Sequence, residues 1–345
     1  MASPPHRVSL VIAAFNAEDF IARAIRSVLC QTLVPQEIIV IDDGSTDGTA
    51  RVAAAFGGSV RVIRQENAGP GAARNAGIRA ATGELVAFLD ADDELLPDMV
   101  ASLSAALMEH ETAAVASGAY LYENVGVRRR PEPGGVLGGR TVGLIRDFFE
   151  TARHHDIANV GSVMARRRIV EQVGGFREDI RFGEDLDLWA RLAGRHDWLF
   201  VDEPMFTYHH SQATSATLRT PESQKPVDFV MSEARMREHV REELWPGYRR
   251  YRRDLLLRQA RTALSQGERS QSRLLLEAIA PAPVNVEWGI TELLSRVGPL
   301  GPWSLHALAA ARRLTHGRRG PRGSAGAASN GLGGRSTKSG GPKRL

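Results

Sequence analysis

Apolar positions in the first half of the chain follow two alternating rhythms. Short unbroken runs, VSLVIAAF (8–15), EIIVID (37–42), VRVIR (60–64) and ELVAFLD (84–90), are separated by stretches whose apolar residues recur every three or four positions, such as Ile21, Ala24, Ile25 and Val28. The first rhythm predicts strands buried on both faces of a sheet, and the second predicts amphipathic helices lying over them. The resulting β-α-β order places the chain in the α/β class, with a mostly parallel sheet and helices on both faces. After Asp98 the pattern predicts a helix, then a strand at AAVASGAYLY (113–122), then an exposed hairpin or loop in the Arg, Pro and Gly-rich stretch 128–140. From 141 to 215 the pattern is mixed, with helices expected over 141–152, 166–173 and 184–194, and extended chain at WLFVDEPMFTYHH (198–210). From about 222 to 316 it turns helical and charged. Three regions are therefore expected: a sheet-based domain at 1–220, a helical C-terminal region at 221–317 and a disordered basic Gly/Arg-rich tail at 318–345.

The tail changes the meaning of the charge. The 345-residue chain has a formal net charge of +4, but 318–345 carries seven basic residues and no acidic ones, which leaves about −3 on residues 1–317. The high isoelectric point belongs to a segment with too little apolar surface to offset its ordering entropy. No module for specific nucleic-acid recognition precedes it, so no specific nucleic-acid partner is expected. The single cysteine, Cys30, rules out an internal disulfide, is expected as a buried structural thiol, and favours a reducing compartment. No run of about 18 to 20 apolar residues is present, so no membrane span is expected. The stretch PWSLHALAAARRLTH (302–316) has the periodicity of a helix that packs on its own domain or lies on a membrane surface. The expected location is cytoplasmic, with peripheral contact at the inner face of the membrane as the variant.

Candidate chemistry sits at the strand ends. IIVIDDGSTDGT presents Asp42, Asp43 and Asp47, and ELVAFLDADDELLPD presents Asp90, Asp92, Asp93 and Glu94. Ligands of open α/β sheets bind at the carboxyl ends of strands. Turn and cap chemistry would explain either cluster by itself; carboxylates grouped at these ends repel one another unless a cation or hydrogen bonds compensate. Mg²⁺ or Mn²⁺, held by one or two carboxylates, waters and substrate phosphates, would satisfy that need. Between the clusters Arg74, within GPGAARNAGI, offers a fixed cation with forked donors suited to a diphosphate. No Gly-x-Gly-x-x-Gly or Gly-x-x-x-x-Gly-Lys is present, so neither the dinucleotide nor the P-loop mode of nucleotide binding applies.

Taken in order, VSLVIAAFN, IIVIDDGSTDGT, GPGAARNAGI, TGELVAFLDADDELLPD, VGGFRED, GEDLDLWARL and YHHSQATS resemble the family 2 glycosyltransferases of the GT-A fold, over residues 8 to 215. The resemblance implies transfer of a sugar from a nucleotide diphosphate-sugar, a UDP-sugar first, to an acceptor hydroxyl with inversion. It implies that the nucleobase lies between Ala13, Phe15, Asn16 and Asp43, with Asp42 beside them and Arg74 holding base or diphosphate. It makes Asp90-Ala91-Asp92 the Asp-x-Asp motif, with Asp92 as metal ligand and Asp90 near the ribose and metal. It gives Glu184 and Asp185 to the acceptor side, with Asp185 as general base, and offers His210, with His209 as competitor, to metal or diphosphate. Family members usually have Pro where Ala13 stands and Tyr where Phe15 stands. The acceptor, a glycan, a lipid-linked intermediate or a small molecule, and the oligomeric state are left open. Two other readings stand beside this one. A sugar nucleotidyltransferase would want a Gly-rich, basic loop after the first strand, where AAFNAEDF has none. A degenerate glycan-binding scaffold is opposed by the intact set Asp43, Asp90, Asp92 and Asp185.

Overall fold

The computed structural model describes residues 7–124, 127–130, 136–137, 141–180, 182–209 and 232–279. His210, the stretch 302–316 and the basic tail lie outside the described residues. The chain runs from β1 (Val8–Ala14) through α1 (Ile21–Leu29), β2 (Glu37–Asp42), α2 (Thr49–Ala54), β3 (Arg61–Arg64) and α3 (Pro70–Ala80) to β4 (Leu85–Asp90). It continues as β5 (Glu94–Leu95), α4 (Met99–Glu109), β6 (Ala113–Asn124), β7 (Val127–Arg129), β8 (Val142–Ile145), α5 (Phe148–Ala152), β9 (Val163–Arg166), α6 (Arg167–Gln172), α7 (Glu184–Arg195) and β10 (Asp197–His209). Helices α8 (Glu233–Met236), α9 (Trp245–Ser265) and α10 (Arg269–Glu277) follow.

The strands form one sheet in the order β3-β2-β1-β4-β9-β6-β10-β5, with β7 added to β6 and β8 to β10. β1, β2, β3 and β4 are mutually parallel, and β6 is parallel to β10, whereas β9 is antiparallel to both β4 and β6. The chain leaves β1 toward β2 on one side and returns to β4 on the other. A crevice opens where the strand order reverses in this way, at the carboxyl ends of the strands. Register sets its corners: Ala13 pairs with Asp90 and Ala14 with Asp42, so the two acidic strand ends stand level on either side of β1.

Alternation along the strands explains why their runs are apolar throughout. Val11, Ile39, Val86 and Phe88 enter one core with α3, α7 and the start of α9, whereas Leu10, Ile12, Val40 and Leu89 enter the other with α1 and α4. Helix α1 buries Ile21, Ala24, Ile25 and Val28 on one stripe. Cys30 falls off that stripe and is exposed, correcting the expectation of a buried thiol. Residues 142–145 form the edge strand β8 against β10 rather than part of a helix over 141–152. The helix there begins only after Asp147, whose carboxylate accepts the Glu150 N–H at 3.0 Å as an N-cap.

Helix α3 approaches its neighbouring loop closely. Asn75 donates from Nδ2 to the Phe176 carbonyl at 2.8 Å and accepts the Phe176 N–H at 2.8 Å, tying α3 to the 175–178 loop. A Cβ on Gly71 would stand 2.2 Å from the Arg177 carbonyl oxygen, which is backbone and cannot swing aside. Gly71→Ala is therefore expected to push α3 off this loop and destabilise the fold by about 1 to 3 kcal/mol, read as a lower midpoint in urea melts. An unchanged midpoint would show that the contact is softer than the geometry indicates.

Candidate active site

The crevice is built from the ends of β1, β2 and β4 and the starts of α3 and α7. At the end of β1, Asn16 adopts φ 49°, a left-handed conformation that Asn tolerates better than most residues. Its N–H donates to Ser45 Oγ at 2.9 Å and its Oδ1 accepts the Thr46 N–H at 2.9 Å, so the β1 and β2 ends are laced together. Phe15, just before it, is 51% exposed, leaving an aromatic face at the crevice. Asp42 is buried, accepts the Ser45 N–H at 3.0 Å and lies 3.4 Å from Arg64 Nε.

Asp43 holds the approach to α3. Its carboxylate accepts from Gln65 Nε2 at 2.7 Å, from the Ala68 N–H at 2.9 Å and from the Gly69 N–H at 2.8 Å. An ionised carboxylate has about four acceptor positions, so three such bonds leave room for one more donor. Sequence reasoning missed Gln65, which carries no motif of its own and lies on a separate strand exit.

Arg74, on α3, joins the two halves of the crevice. Its guanidinium is buried and donates to Asp90 Oδ1 at 2.6 Å and to Glu184 Oε1 at 2.6 Å. The Phe176 ring supports it from one side, with its centroid 5.4 Å from the guanidinium carbon. Nothing in the sequence flagged Phe176 as a site residue, although it stands in VGGFRED beside the site. Burial disfavours the charge on Arg74, but Asp90 and Glu184 more than restore it, so its pKa is raised.

Glu184 and Asp185 begin α7, directly after Gly183, whose φ of 74° requires a residue without a Cβ penalty. Glu184 is buried, and burial pushes its carboxyl up to about 7; Arg74 opposes this and the neighbouring Asp185 adds to it. Asp185 is half-buried, and its carboxyl is raised by burial and by Asp90, against the pull of Arg74.

Asp90 and Asp92 are half-buried at the end of β4, whereas Asp93 is buried and accepts the His209 N–H at 2.9 Å. Its carboxyl is held well above the ordinary range by burial and by the charges of Asp92 and Asp90. Arg23 of α1 donates to the Asp92 carbonyl, a contact that its helical pattern did not announce. The His209 ring points toward Glu94 (3.4 Å) and Glu123 (3.7 Å). Among the described residues no group of three or more His, Cys, Asp or Glu side chains could by itself hold a metal. Two carboxylates with waters and substrate phosphates remain a sufficient set for Mg²⁺ or Mn²⁺. The charge crowded around Asp93 fits a cation at Asp90 and Asp92.

The raised Glu184 carboxyl has a signature in stability. A carboxyl whose folded pKa stands above its ordinary 4.5 favours the protonated native state, so its contribution is complete below about 4.5 and is lost as pH rises toward about 7. Glu184→Gln keeps the shape and one acceptor oxygen for Arg74 but cannot titrate. The stability of wild type relative to Glu184→Gln, from urea melts, is expected to fall across that pH window. A flat difference would remove the titration from this residue.

Three comparisons bear on this arrangement. Residues 9–174 match the family model described as glycosyl transferase family 2, a match that includes Asp43, Arg74, Asp90 and Asp92 and ends before Glu184. The succinoglycan biosynthesis protein ExoO of Rhizobium meliloti (strain 1021) is 35% identical over 202 residues, covering 53% of this chain and 54% of ExoO. The uncharacterized glycosyltransferase YibD of Escherichia coli (strain K12) is 30% identical over 224 residues, covering 63% of this chain and 62% of YibD. The chain thus spans little more than half the length of these curated relatives. Among solved structures, S. aureus TarS 1–349 in complex with UDP-GlcNAc superposes with a TM-score of 0.55 at 17% identity, covering 84% of this chain and 91% of that one, and the shared fold is GT-A. The part of the chain that carries Asp43, Arg74, Asp90 and Asp92, residues 9–174, is a glycosyl transferase family 2 region.

Proposed function

We propose that the chain transfers a sugar from a nucleotide diphosphate-sugar to an acceptor hydroxyl with inversion, residues 1–220 acting as the transferase domain. The observation that carries this reading is the buried Arg74 bridge, which brings the Asp90 end of β4 and the acidic start of α7 into one crevice. A donor and an acceptor need such a shared place. The TarS structure, solved with UDP-GlcNAc, makes a UDP-sugar the first donor to try. The name of ExoO, a succinoglycan biosynthesis protein, supports a polysaccharide acceptor.

On this reading Phe15 stacks on the base, and the remaining acceptor position of Asp43 takes a base N–H. Asn16 and Asp42 hold the β1 and β2 ends in place beneath it, and Ala13 leaves space at the floor. Asp92 and Asp90 would hold the Mg²⁺ or Mn²⁺, whose bound charge would neutralise the departing diphosphate. Arg74 stays cationic at the rim of that charge and fixes Asp90. Asp185, half-buried and with its carboxyl raised by burial and by Asp90, takes the acceptor proton as the hydroxyl attacks the anomeric carbon from the face opposite the leaving group. Glu184, held on Arg74, orients the start of α7 behind it. No helix among the described residues is long and apolar enough to cross a membrane. A peripheral membrane contact, if the acceptor is lipid-linked, would fall to the C-terminal region.

Two outcomes test this. Calorimetry should show manganese-dependent binding of UDP to wild type that is lost in Asp92→Ala; metal-independent or absent binding to a folded protein would overturn the metal-assisted donor site. Asp185→Asn should bind UDP normally yet lose about 10² to 10⁴ of the turnover with acceptor, measured as UDP release. Turnover within a few-fold of wild type would place the base elsewhere.

A further inference from the structure

Next to the Asp92 corner, β6 and β10 carry a group of aromatic residues that the donor chemistry does not use. Their register sets Tyr120 opposite Phe206 and Tyr122 opposite Tyr208, and the rings meet in those pairs, with centroids 5.4 Å and 6.0 Å apart. Phe206 is buried and forms the floor, whereas Tyr120, Tyr122 and Tyr208 are half-buried and keep exposed edges. At one end the Tyr120 hydroxyl donates to Asp156 Oδ2 at 3.2 Å, and Asp156 is exposed.

We propose that Tyr120, Tyr122 and Tyr208, with the Asp156 carboxylate at their edge, form a binding site for the saccharide acceptor beside the Asp92 corner of the crevice. The site meets the crevice through β10, where His209, next to Tyr208, donates its N–H to Asp93 at 2.9 Å, so the tyrosines stand beside the strand end that carries Asp90 and Asp92.

The chemistry selects the occupant. A pyranose ring has an apolar C–H face that lies on an aromatic ring and a rim of hydroxyls that donate to carboxylate and phenol oxygens. Apolar walls with a few placed polar groups are what a small-molecule site of this kind needs. An isoprenoid chain would press hydrocarbon on the exposed Asp156 carboxylate, and a polyanion would be repelled by it. The site rests on the glycosyltransferase reading only for its role, not for its affinity.

Saturation-transfer NMR on the full chain, with cellobiose, maltose, lactose and N,N′-diacetylchitobiose as probes, tests it. At least one disaccharide should receive saturation from wild type, weakened about fivefold in Tyr122→Ala and in Asp156→Asn. Thermal melts check that each variant is folded; Asp156 is exposed, so Asp156→Asn decides if Tyr122→Ala does not fold. No signal from any of the four probes, or equal signals from folded variants, overturns the site. Hydrolysis of UDP-glucose and UDP-N-acetylglucosamine by wild type is followed in parallel. Its absence, together with tyrosine-dependent disaccharide signals, would uphold the saccharide site and overturn the transferase reading alone.

Discussion

A guanidinium taken out of water must be matched on the spot, and the arrangement of this crevice follows from how Arg74 is matched. Its two carboxylate partners come from the end of β4 and the start of α7, with hydrogen bonds of 2.6 Å each. Breaking a buried pair by removing one partner costs about 3 to 5 kcal/mol, because a charge is then left without compensation. Asp90, Arg74 and Glu184 therefore fix one another, and with them the relative placement of β4, α3 and α7. The tight seat of α3 serves the same end: Asn75 and Gly71 hold the helix against the 175–178 loop, and Phe176 of that loop supports the guanidinium. The excess of carboxylate over cation shows in Glu184, where burial outweighs the ion pair and draws the carboxyl toward a proton at neutral pH.

What could be read from the chain and what could not divide along a physical line. β1, β2 and β4 were legible because strands buried on both faces must be apolar without interruption, and their acidic ends stood out against that background. Asp43, Asp90 and Arg74 were legible for the same reason, together with the order of motifs around them. β8 was not, because Val142–Ile145 is too short for period to separate strand from helix, and its pairing partner lies about 55 residues on. Gln65 on Asp43, Phe176 under Arg74 and Arg23 on the Asp92 carbonyl are contacts between distant segments, created by the sheet order and invisible to any local window. The exposure of Cys30 was readable in principle, since two residues past Val28 a helix has turned its side chain away from the buried stripe.

The C-terminal helices show why composition is a poor guide to where a core ends. Trp245, Tyr248 and Tyr251 in the first half of α9 belong to the same apolar cluster as Val11 and Phe88, and Tyr248 meets Phe149 edge-on at 5.3 Å. Arg153 of the segment after α5 reaches Asp254 at 2.7 Å. Only the second half of α9, from Leu256 and Leu257 onward, turns to pack with α10. A single helix of mixed, charged composition is divided between two cores, so its role is set by which face each turn presents rather than by its average polarity.

The sheet itself is of two kinds, and the difference bears on what each half can do. β1 pairs with β2 and β4 in unbroken register, which holds the donor-side carboxylates level and leaves little freedom for change. β10 pairs with β6 through three register shifts around Trp198, Pro204 and Phe206. Bulges re-aim side chains and increase local twist, and a proline within a strand marks a place where the ladder is already interrupted. After the last of these shifts β10 serves two surfaces at once. Phe206 and Tyr208 meet the tyrosines of β6, while the His209 backbone and ring turn to Asp93 and Glu94. On the proposed reading, a regular half would fix the donor and an irregular half, whose side chains can be re-aimed by one residue's slip, would give a physical basis for keeping one chemistry while changing the acceptor.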